Sequence, residues 1–168
     1  MKYGIVIFPS RDVQDRANSF RKRYDSHYTL IPPHITLKEP FKTDSIIEVI
    51  EHIEDKVKTV PPFTLKINRI KSFHPTTPVL YFAFEDNPLI YNLHDAINSE
   101  LLFHELEYKF VPHITIAQDL PQQEIHDIYS RLSLKDYYME FCVDRIHLLY
   151  QMENGSWTNY QTFLLKGE

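Results

Sequence analysis

The sequence predicts a fold that mixes strands and helices and is organised as two similar strand-helix-strand lobes. Apolar residues alternate in several short segments and recur at helical spacing in the segments between them. A longer stretch also occurs twice, which indicates a duplicated unit. A chain of 168 residues has the length of one ordinary domain. We therefore expect a single two-lobed domain over residues 1–168.

In the first half of the chain, the predicted order is strand, helix, strand, helix. Residues 3–8 are a strand-forming apolar run, and the spacing of the apolar residues that follow predicts a helix with Ser10 as its N-cap. Alternation resumes over residues 34–41 after two prolines. Residues 45–48 then form a capping box, which predicts that the second helix begins there.

The rest of the chain continues this alternation of strands and helices. Strands over residues 63–73 and 79–84 are separated by turn residues and predict a hairpin. Asn87 and Pro88 open a third helix, for which we expect a buried stripe of apolar residues. This stripe comprises Leu89, Leu93, Ala96, Ile97 and Leu101. The last predicted elements are a strand over 113–117, a helix after Pro121, a long strand over 138–150 and a final hairpin strand over 157–165.

The repeat is clearest around two histidines. The segment 33–37, PHITL, matches the segment 112–116, PHITI, and each copy is followed by a helix and by a strand that contains an Arg-Ile pair. These pairs begin at Arg69 and Arg145, at similar distances from the histidine. The match predicts that two equivalent lobes each carry one His-x-Thr motif.

Composition excludes several classes of function. The three glycines leave no material for a glycine-rich phosphate-binding loop. A net charge of −5 argues against binding long nucleic acid by bulk charge, although a local site for a small phosphate remains open. Cys142 has no intramolecular disulfide partner, and the N-terminal apolar run is too short for a signal peptide or a membrane span. We expect a cytoplasmic protein that does not act on a membrane.

Each His-x-Thr motif can present an imidazole and a hydroxyl on one face of a strand, because residues i and i+2 point the same way. If the two lobes face each other, then His34, Thr36, His113 and Thr115 converge. Two histidines can supply the base and the acid for cleavage of a phosphodiester, and the hydroxyls can stabilise charge on the phosphoryl oxygens. This scheme requires neither a metal nor another cofactor.

The alternative interpretation is that each motif is a half-buried strand with polar residues on its solvent face. A single His-x-Thr would favour that interpretation, because threonine is common in strands. Two copies, each after a proline and within a longer repeat, favour a shared site.

The pair HITL and HITI resembles the two signature motifs of the 2H phosphoesterase superfamily, which includes the LigT-like RNA ligases and the cyclic nucleotide phosphodiesterases. The segments PPHITLKEPF and VPHITIAQDL are most similar to the YjcG-type phosphoesterases of Gram-positive bacteria. The resemblance implies a two-lobed α+β fold with antiparallel-rich sheets around a central groove. It also implies His34 as the proton donor and His113 as the proton acceptor, although the sequence alone leaves that order open.

Other residues are weaker candidates for contacts with substrate. Arg69 and Arg145 can bind a phosphate, but salt bridges on the surface or between the lobes are the simpler and favoured interpretation. Tyrosines can stack on a base and lysines can attract a phosphate at the border of the groove, which applies to Tyr3, Tyr81, Lys38 and Lys109. His74 precedes Pro75 and is expected in a turn.

Three functions fit these motifs. The first is a phosphoesterase that hydrolyses a cyclic or 2′-linked phosphodiester of a nucleotide or of an RNA end. The second is a module that binds RNA or a nucleotide in the same groove without turnover. The third is a 2′,5′ RNA ligase, which uses the same site in the reverse direction. The sequence does not identify the substrate or the oligomeric state.

Overall fold

The computed structural model describes residues 1–73 and 75–168, so the turn predicted at His74 lies outside the described residues. The predicted α+β fold is confirmed, with two four-stranded antiparallel sheets and four α-helices in the described residues. The strands are β1 (Tyr3–Ile7), β2 (Ile35–Phe41), β3 (Phe63–Ser72), β4 (Leu80–Phe84), β5 (His113–Ala117), β6 (Met139–Val143), β7 (Arg145–Gln151) and β8 (Trp157–Leu164). The helices are α1 (Arg11–Tyr24), α2 (Ile46–Val57), α3 (Pro88–Ile97) and α4 (Gln122–Leu132).

The two sheets have matching strand orders. The first sheet has the order β2-β1-β7-β8 and the second has the order β5-β4-β3-β6. The two strands that carry the His-x-Thr motifs, β2 and β5, therefore occupy the same edge position in their sheets. The equivalent edge positions of β2 and β5 correspond to the repeat in the sequence.

The helices tie the two sheets into one unit. Helix α1 connects β1 to β2 of the first sheet but packs against β5 of the second, and α3 connects β4 to β5 but packs against β2 of the first. The buried side chains of both sheets and all four helices form one contiguous apolar core. Each lobe is consequently assembled from separate parts of the chain, and the strand-helix-strand repeat contributes strands to both sheets.

The prediction of one long strand over residues 138–150 is wrong. It is two strands, β6 and β7, which lie on either side of Asp144 and belong to different sheets. Asp144 and Arg145 are both exposed, whereas Val143 and Ile146 are both buried. Two successive exposed residues break the period of two that a continuous half-buried strand requires.

The third helix is shorter and rotated relative to the prediction. Helix α3 ends at Ile97, and Leu101 lies in a short 3-10 turn with 52% of its surface exposed. The buried stripe contains Ile90, Leu93, His94 and Ile97. Two polar side chains, those of His94 and Asn98, therefore take buried positions that the apolar pattern assigned to other residues.

The predicted helix starts are largely correct. The Ser45 side chain accepts a hydrogen bond from the Glu48 backbone N–H, and Asn87 caps α3 through the Leu89 backbone N–H. Ser10 occupies the N-cap position of α1, but its hydroxyl donates to the Asp12 carboxylate instead of capping the backbone. Among the described helices, none combines the length and the apolar character needed to cross a membrane.

Candidate functional site

The two motif strands bring their polar faces to one cavity. Strands β2 and β5 contact each other, and His34, Thr36, His113 and Thr115 all line a cavity of about 290 Å³ between the two sheets. The apolar neighbours Ile35 and Ile114 are fully buried on the opposite faces. The alternation predicted from the sequence thus places both imidazoles and both hydroxyls around the same space.

Each histidine is anchored to the backbone by the same contact. Nδ1 of His34 lies 2.8 Å from the Pro32 carbonyl oxygen, and Nδ1 of His113 lies 2.7 Å from the Val111 carbonyl oxygen. A carbonyl only accepts, so Nδ1 carries the proton and donates it. The other ring nitrogen, Nε2, is then left for a ligand in the cavity.

Proline explains why this contact recurs. Pro33 and Pro112 directly precede the two histidines. A proline fixes its own φ angle and confines the residue before it to extended conformations. The residues before these prolines are the ones whose carbonyls accept from Nδ1, so the Pro-His step presets the orientation of each ring.

Burial lowers the proton affinity of both rings. The protein that surrounds His34 disfavours its charged form and lowers its pKa to about 4. The bond to Pro32 and the charge of Asp25 oppose this effect, whereas the charges of Arg21 and His113 add to it. Burial also lowers the pKa of His113, against the bond to Val111. Both shifts favour the neutral form of the ring at pH 7.

A charged network lies beside His34. Arg21 of α1 and Asp25, the residue that follows this helix, form a buried ion pair with Nε 3.0 Å from Oδ2 and side-chain exposures of 2% and 1%. Arg21 also donates to the carbonyl of Ile31 at 2.7 Å, and Asp25 accepts from the Gln118 amide at 2.9 Å. The network joins α1, the end of β5 and the segment that leads to His34.

Aromatic rings surround His113 instead. Phe73 stacks on Tyr81 with ring centroids 4.2 Å apart, and both rings meet His113 edge-on, at 5.0 and 5.4 Å. Tyr81 lies under Phe73 with 3% of its surface exposed. Tyr81 was predicted to stack on a base, but its ring is covered and supports His113.

Lys38 lines the cavity together with Thr36, two residues before it on the same strand face. Its Nζ lies 2.8 Å from the Leu102 carbonyl and 2.7 Å from Nδ1 of His104, and burial lowers its pKa. The ammonium group thus fastens the segment after α3 to β2. Lys38 therefore borders the cavity, and its contact with substrate stays a prediction.

The remaining candidates lie in different surroundings. Arg69 donates to Asn68 and to the Phe84 carbonyl, and Arg145 pairs with Asp144. Neither arginine lines the cavity of the motif residues or the larger cavity beside it. Arg145 thus makes the salt bridge of the simpler interpretation, whereas Arg69 donates to two uncharged oxygen atoms. Tyr3 packs against Phe41 and Tyr160, away from the motif residues. Lys109 lines a second, larger cavity that adjoins the first.

Sequence reasoning missed several residues of the site. Six residues that line a cavity were not predicted as part of the site, and they are Arg21, Asp25, Gln118, Phe73, His27 and His104. For Arg21 a signal was present, because it stands one turn after Ala17 on the buried side of α1 and four residues before an aspartate. A comparable pattern is lacking for the remaining four residues, which are Gln118, Phe73, His27 and His104.

A group of three or more His, Cys, Asp or Glu side chains that could hold a metal ion does not occur among residues 1–73 and 75–168.

Comparison with known protein families gives one match over most of the chain. The family model described as the 2′-5′ RNA ligase superfamily matches residues 9–155. Two similar proteins carry the name "Putative phosphoesterase". The protein from Geobacillus kaustophilus is 51% identical over 170 residues, covering 100% of this chain and 98% of its own. The protein from Bacillus mycoides is 49% identical over 172 residues, covering 100% and 99%.

Solved structures share the fold at low sequence identity. The Thermus thermophilus protein TT0787 superposes with a TM-score of 0.68 at 16% identity and full coverage of both chains. Escherichia coli LigT in its apo form gives a TM-score of 0.70 at 13% identity, covering 98% of this chain and 96% of LigT. LigT complexed with 3′-AMP gives a TM-score of 0.65 at 14% identity, covering 98% and 97%.

Proposed function

The chain belongs to the 2′-5′ RNA ligase superfamily, and from that premise we propose that it is a phosphoesterase that hydrolyses cyclic or 2′-linked phosphodiesters by two-histidine acid-base catalysis. The observation that carries the proposal is the pair of Nδ1 anchors, which leave one Nε2 of each motif for the shared cavity. Relatives named as phosphoesterases support the reaction class, and the LigT complex with 3′-AMP supports a nucleotide-like substrate.

The proposed reaction follows from this geometry. The phosphorus lies between the two rings, Nε2 of His113 removes a proton from the attacking water, and Nε2 of His34 donates a proton to the leaving oxygen. This order is the one that the family resemblance implies, and it reverses when the reaction runs backward. The hydroxyls of Thr36 and Thr115 donate to the phosphoryl oxygens, where charge changes in the transition state.

Because the pKa of His34 is lowered, its protonation in this scheme depends on the bound substrate. A donor with a pKa of about 4 is almost entirely neutral at pH 7 before substrate binds. A bound phosphodiester anion beside Nε2 favours the imidazolium and raises this pKa. His34 then becomes protonated when substrate is present, and its low intrinsic affinity makes it a ready donor.

The test is a turnover screen with purified protein and excess EDTA. The substrates are nucleoside 2′,3′-cyclic phosphates, ADP-ribose cyclic phosphate and 2′,5′-linked oligonucleotides, each with the parent protein and with His34→Ala. We expect hydrolysis by the parent that persists in EDTA and is lost in the variant. Activity that disappears in EDTA and returns with a divalent cation would contradict the two-histidine scheme.

Two alternatives give different results in the same screen. A nucleotide-binding module would bind these compounds without cleaving any of them. A 2′,5′ RNA ligase would join RNA ends that carry a 2′,3′-cyclic phosphate and a 5′-hydroxyl, and that product is detected by a gel shift of labelled RNA.

A further inference from the structure

Trp157 is the only tryptophan of the chain, and it lines the cavity that holds both motif histidines. It is the first residue of β8 and is partly exposed. Its backbone N–H donates to the Leu30 carbonyl at 2.8 Å, and Leu30 belongs to the segment that leads to His34. The start of β8 is therefore held beside the catalytic groove, with part of the indole open to it.

Gly4 makes room for this ring on the first sheet. It lies inside β1, where a glycine weakens the strand and often marks the close approach of another group. A Cβ atom on Gly4 would lie 3.6 Å from Cζ3 and 3.8 Å from Cη2 of Trp157, so a longer side chain would collide with the indole. Strand β7 separates β8 from β1 in the sheet. The indole thus reaches across β7 to β1, and the missing side chain of Gly4 permits this position.

The first sheet contributes an apolar surface to the cavity around this ring. Val6 of β1 and Leu149 of β7 line the cavity together with Trp157, and both are almost fully buried. Charged side chains line other parts of the same cavity, among them the ion pair of Arg21 and Asp25. A ligand with a polar end for the histidines and a flat apolar end for this surface matches the cavity, and a nucleotide has this form.

An indole suits a nucleobase in particular. It is flat and presents a large aromatic surface, and bases stack on such rings in sites that bind single-stranded nucleic acid. Stacking does not read the hydrogen-bonding edge of a base, so it tolerates every base. The phosphate and the base of a nucleotide are attached to one ribose. One molecule can therefore contact the histidines and the indole within the same cavity.

We propose that the base of the substrate nucleotide stacks on the part of the Trp157 indole that faces the cavity. The ring then fixes the ribose relative to the phosphate, and the site accepts purines and pyrimidines alike. The proposal rests on the proposed function, because that function places the phosphate between His34 and His113.

Selectively excited tryptophan emission tests the stacking contact without turnover, because it comes from Trp157 alone. Adenosine 3′-monophosphate and uridine 3′-monophosphate are compared with methyl ribofuranoside 3-phosphate, which keeps the ribose and the phosphate but lacks a base. We expect both nucleotides to quench the emission saturably and the base-free compound to leave it unchanged. N-acetyltryptophanamide at the same nucleotide concentrations corrects for absorption by the bases. Binding of the nucleotides in calorimetry without quenching, or no binding at millimolar concentration, would overturn the proposal.

Calorimetry of variants measures how much the ring contributes to binding. Trp157→Ala should weaken both nucleotides about tenfold or more, as for the loss of one base-aromatic stack, and should not weaken the base-free compound. Trp157→Phe should recover part of this loss. Tyr160→Ala removes a partly exposed ring of the same strand that packs outside the cavity, and it should keep the parent affinities. Parent affinity for the nucleotides in Trp157→Ala would contradict the proposed contact.

Gly4 provides a second test that leaves the indole chemically intact. Gly4→Leu places a side chain where the indole lies, whereas the Cβ atom of Gly4→Ala comes only into ordinary van der Waals contact with it. We expect the loss of nucleotide affinity to be several-fold larger in Gly4→Leu. The emission of Trp157 should also shift to longer wavelength in that variant, as the displaced ring becomes more exposed. Equal nucleotide affinities in the two folded variants would contradict the proposal.

Turnover separates this proposal from the proposed function. The indole contacts the base and not the reacting ester, so Trp157→Ala should raise KM for adenosine 2′,3′-cyclic phosphate more than it lowers kcat. If the parent and Trp157→Ala cleave this ester with equal kcat/KM, the phosphoesterase function stands and the stacking contact is wrong. If the nucleotides bind and quench as expected but the ester is not cleaved, the stacking contact stands and the proposed function is wrong.

Discussion

His34 and His113 make the same backbone contact, but the side chains around them belong to different chemical classes. Beside His34 lies a buried ion pair, and beside His113 lie two aromatic rings. The duplicated Pro-His step fixes where each Nε2 points, whereas the surroundings set how strongly each ring holds a proton. A repeated motif can therefore supply an acid and a base without any change in its own sequence.

Removal of either histidine is the strongest test of this shared geometry. We expect His34→Ala and His113→Ala each to lower kcat about 10²- to 10⁴-fold, because each removes one positioned proton-transfer group. The thermal unfolding midpoint should change little, since both rings lie at the cavity surface. His126→Ala, an exposed histidine on α4, is the matched control and should keep full activity.

The double variant shows whether the two rings act as one unit. If they do, the loss in His34→Ala combined with His113→Ala should be far smaller than the product of the single losses. Full activity in either single variant, on a substrate that the parent cleaves, would contradict a joint role.

The ion pair beside His34 can be tested against an internal control. Arg21–Asp25, at the end of α1, and Arg11–Asp15, at its start, are Arg-Asp pairs with the same spacing. The side chains of the first pair are 2% and 1% exposed, and those of the second are 88% and 68% exposed. Arg21→Met leaves a carboxylate buried without its cation, for which a loss of about 3–5 kcal/mol in unfolding free energy is expected. Arg11→Met should cost no more than about 1 kcal/mol.

Chemical denaturation of both variants measures these free energies. Similar values for the two arginines would show that the buried network does not stabilise the His34 side of the groove. Residual turnover of Arg21→Met, measured where it remains folded, reports whether the network also positions His34.

Variants of the two threonines compare how much the hydroxyl of each lobe contributes to turnover. Thr36→Val and Thr115→Val each remove one donor to the phosphate, and we expect kcat to fall by about tenfold to a thousandfold. Thr36→Ser and Thr115→Ser keep the hydroxyl and serve as controls with near-parent rates. A loss confined to one of the two valine variants would show that only one lobe contacts the phosphoryl oxygens.

The sequence predicted the parts of this site that depend on local periodicity. The i and i+2 alternation placed His34 with Thr36 and His113 with Thr115, and repetition indicated that the two pairs belong together. It could not predict Arg21 and Asp25 beside His34, because α1 packs against the opposite sheet and only tertiary structure decides that.

Prediction of the fold from the sequence is limited in the same way. Most strand and helix positions followed from alternation and capping residues, but the division of residues 138–150 into two sheets did not. The chain changes sheets at Asp144, where β6 ends beside β3 and β7 begins beside β1. Local pattern predicts that a residue is extended, whereas the choice of neighbouring strand depends on contacts distant in sequence.

The smallest expected effect is a shift in the pH dependence, and it reports directly on the difference between the two rings. Because the pKa of His34 is lowered to about 4 and that of His113 is also lowered, the profile of kcat/KM should be bell-shaped with its acid limb near 4 and its alkaline limb below 6.5. The profile of kcat should lie at higher pH, since the bound phosphate anion raises both values. Two limbs at 6.5 in both profiles would contradict the effect of burial.

A bell-shaped curve alone does not say which ring is the acid, because exchanging the two roles gives limbs at the same two pKa values. The pH dependence of the residual activity in each single variant identifies which ring is the acid. His34→Ala retains only His113, and if His113 is the base its activity must rise with pH as the ring loses its proton. His113→Ala retains only His34, and if His34 is the acid its activity must fall as pH increases. Opposite slopes in the two variants would keep the shared cavity and exchange the roles of the two histidines.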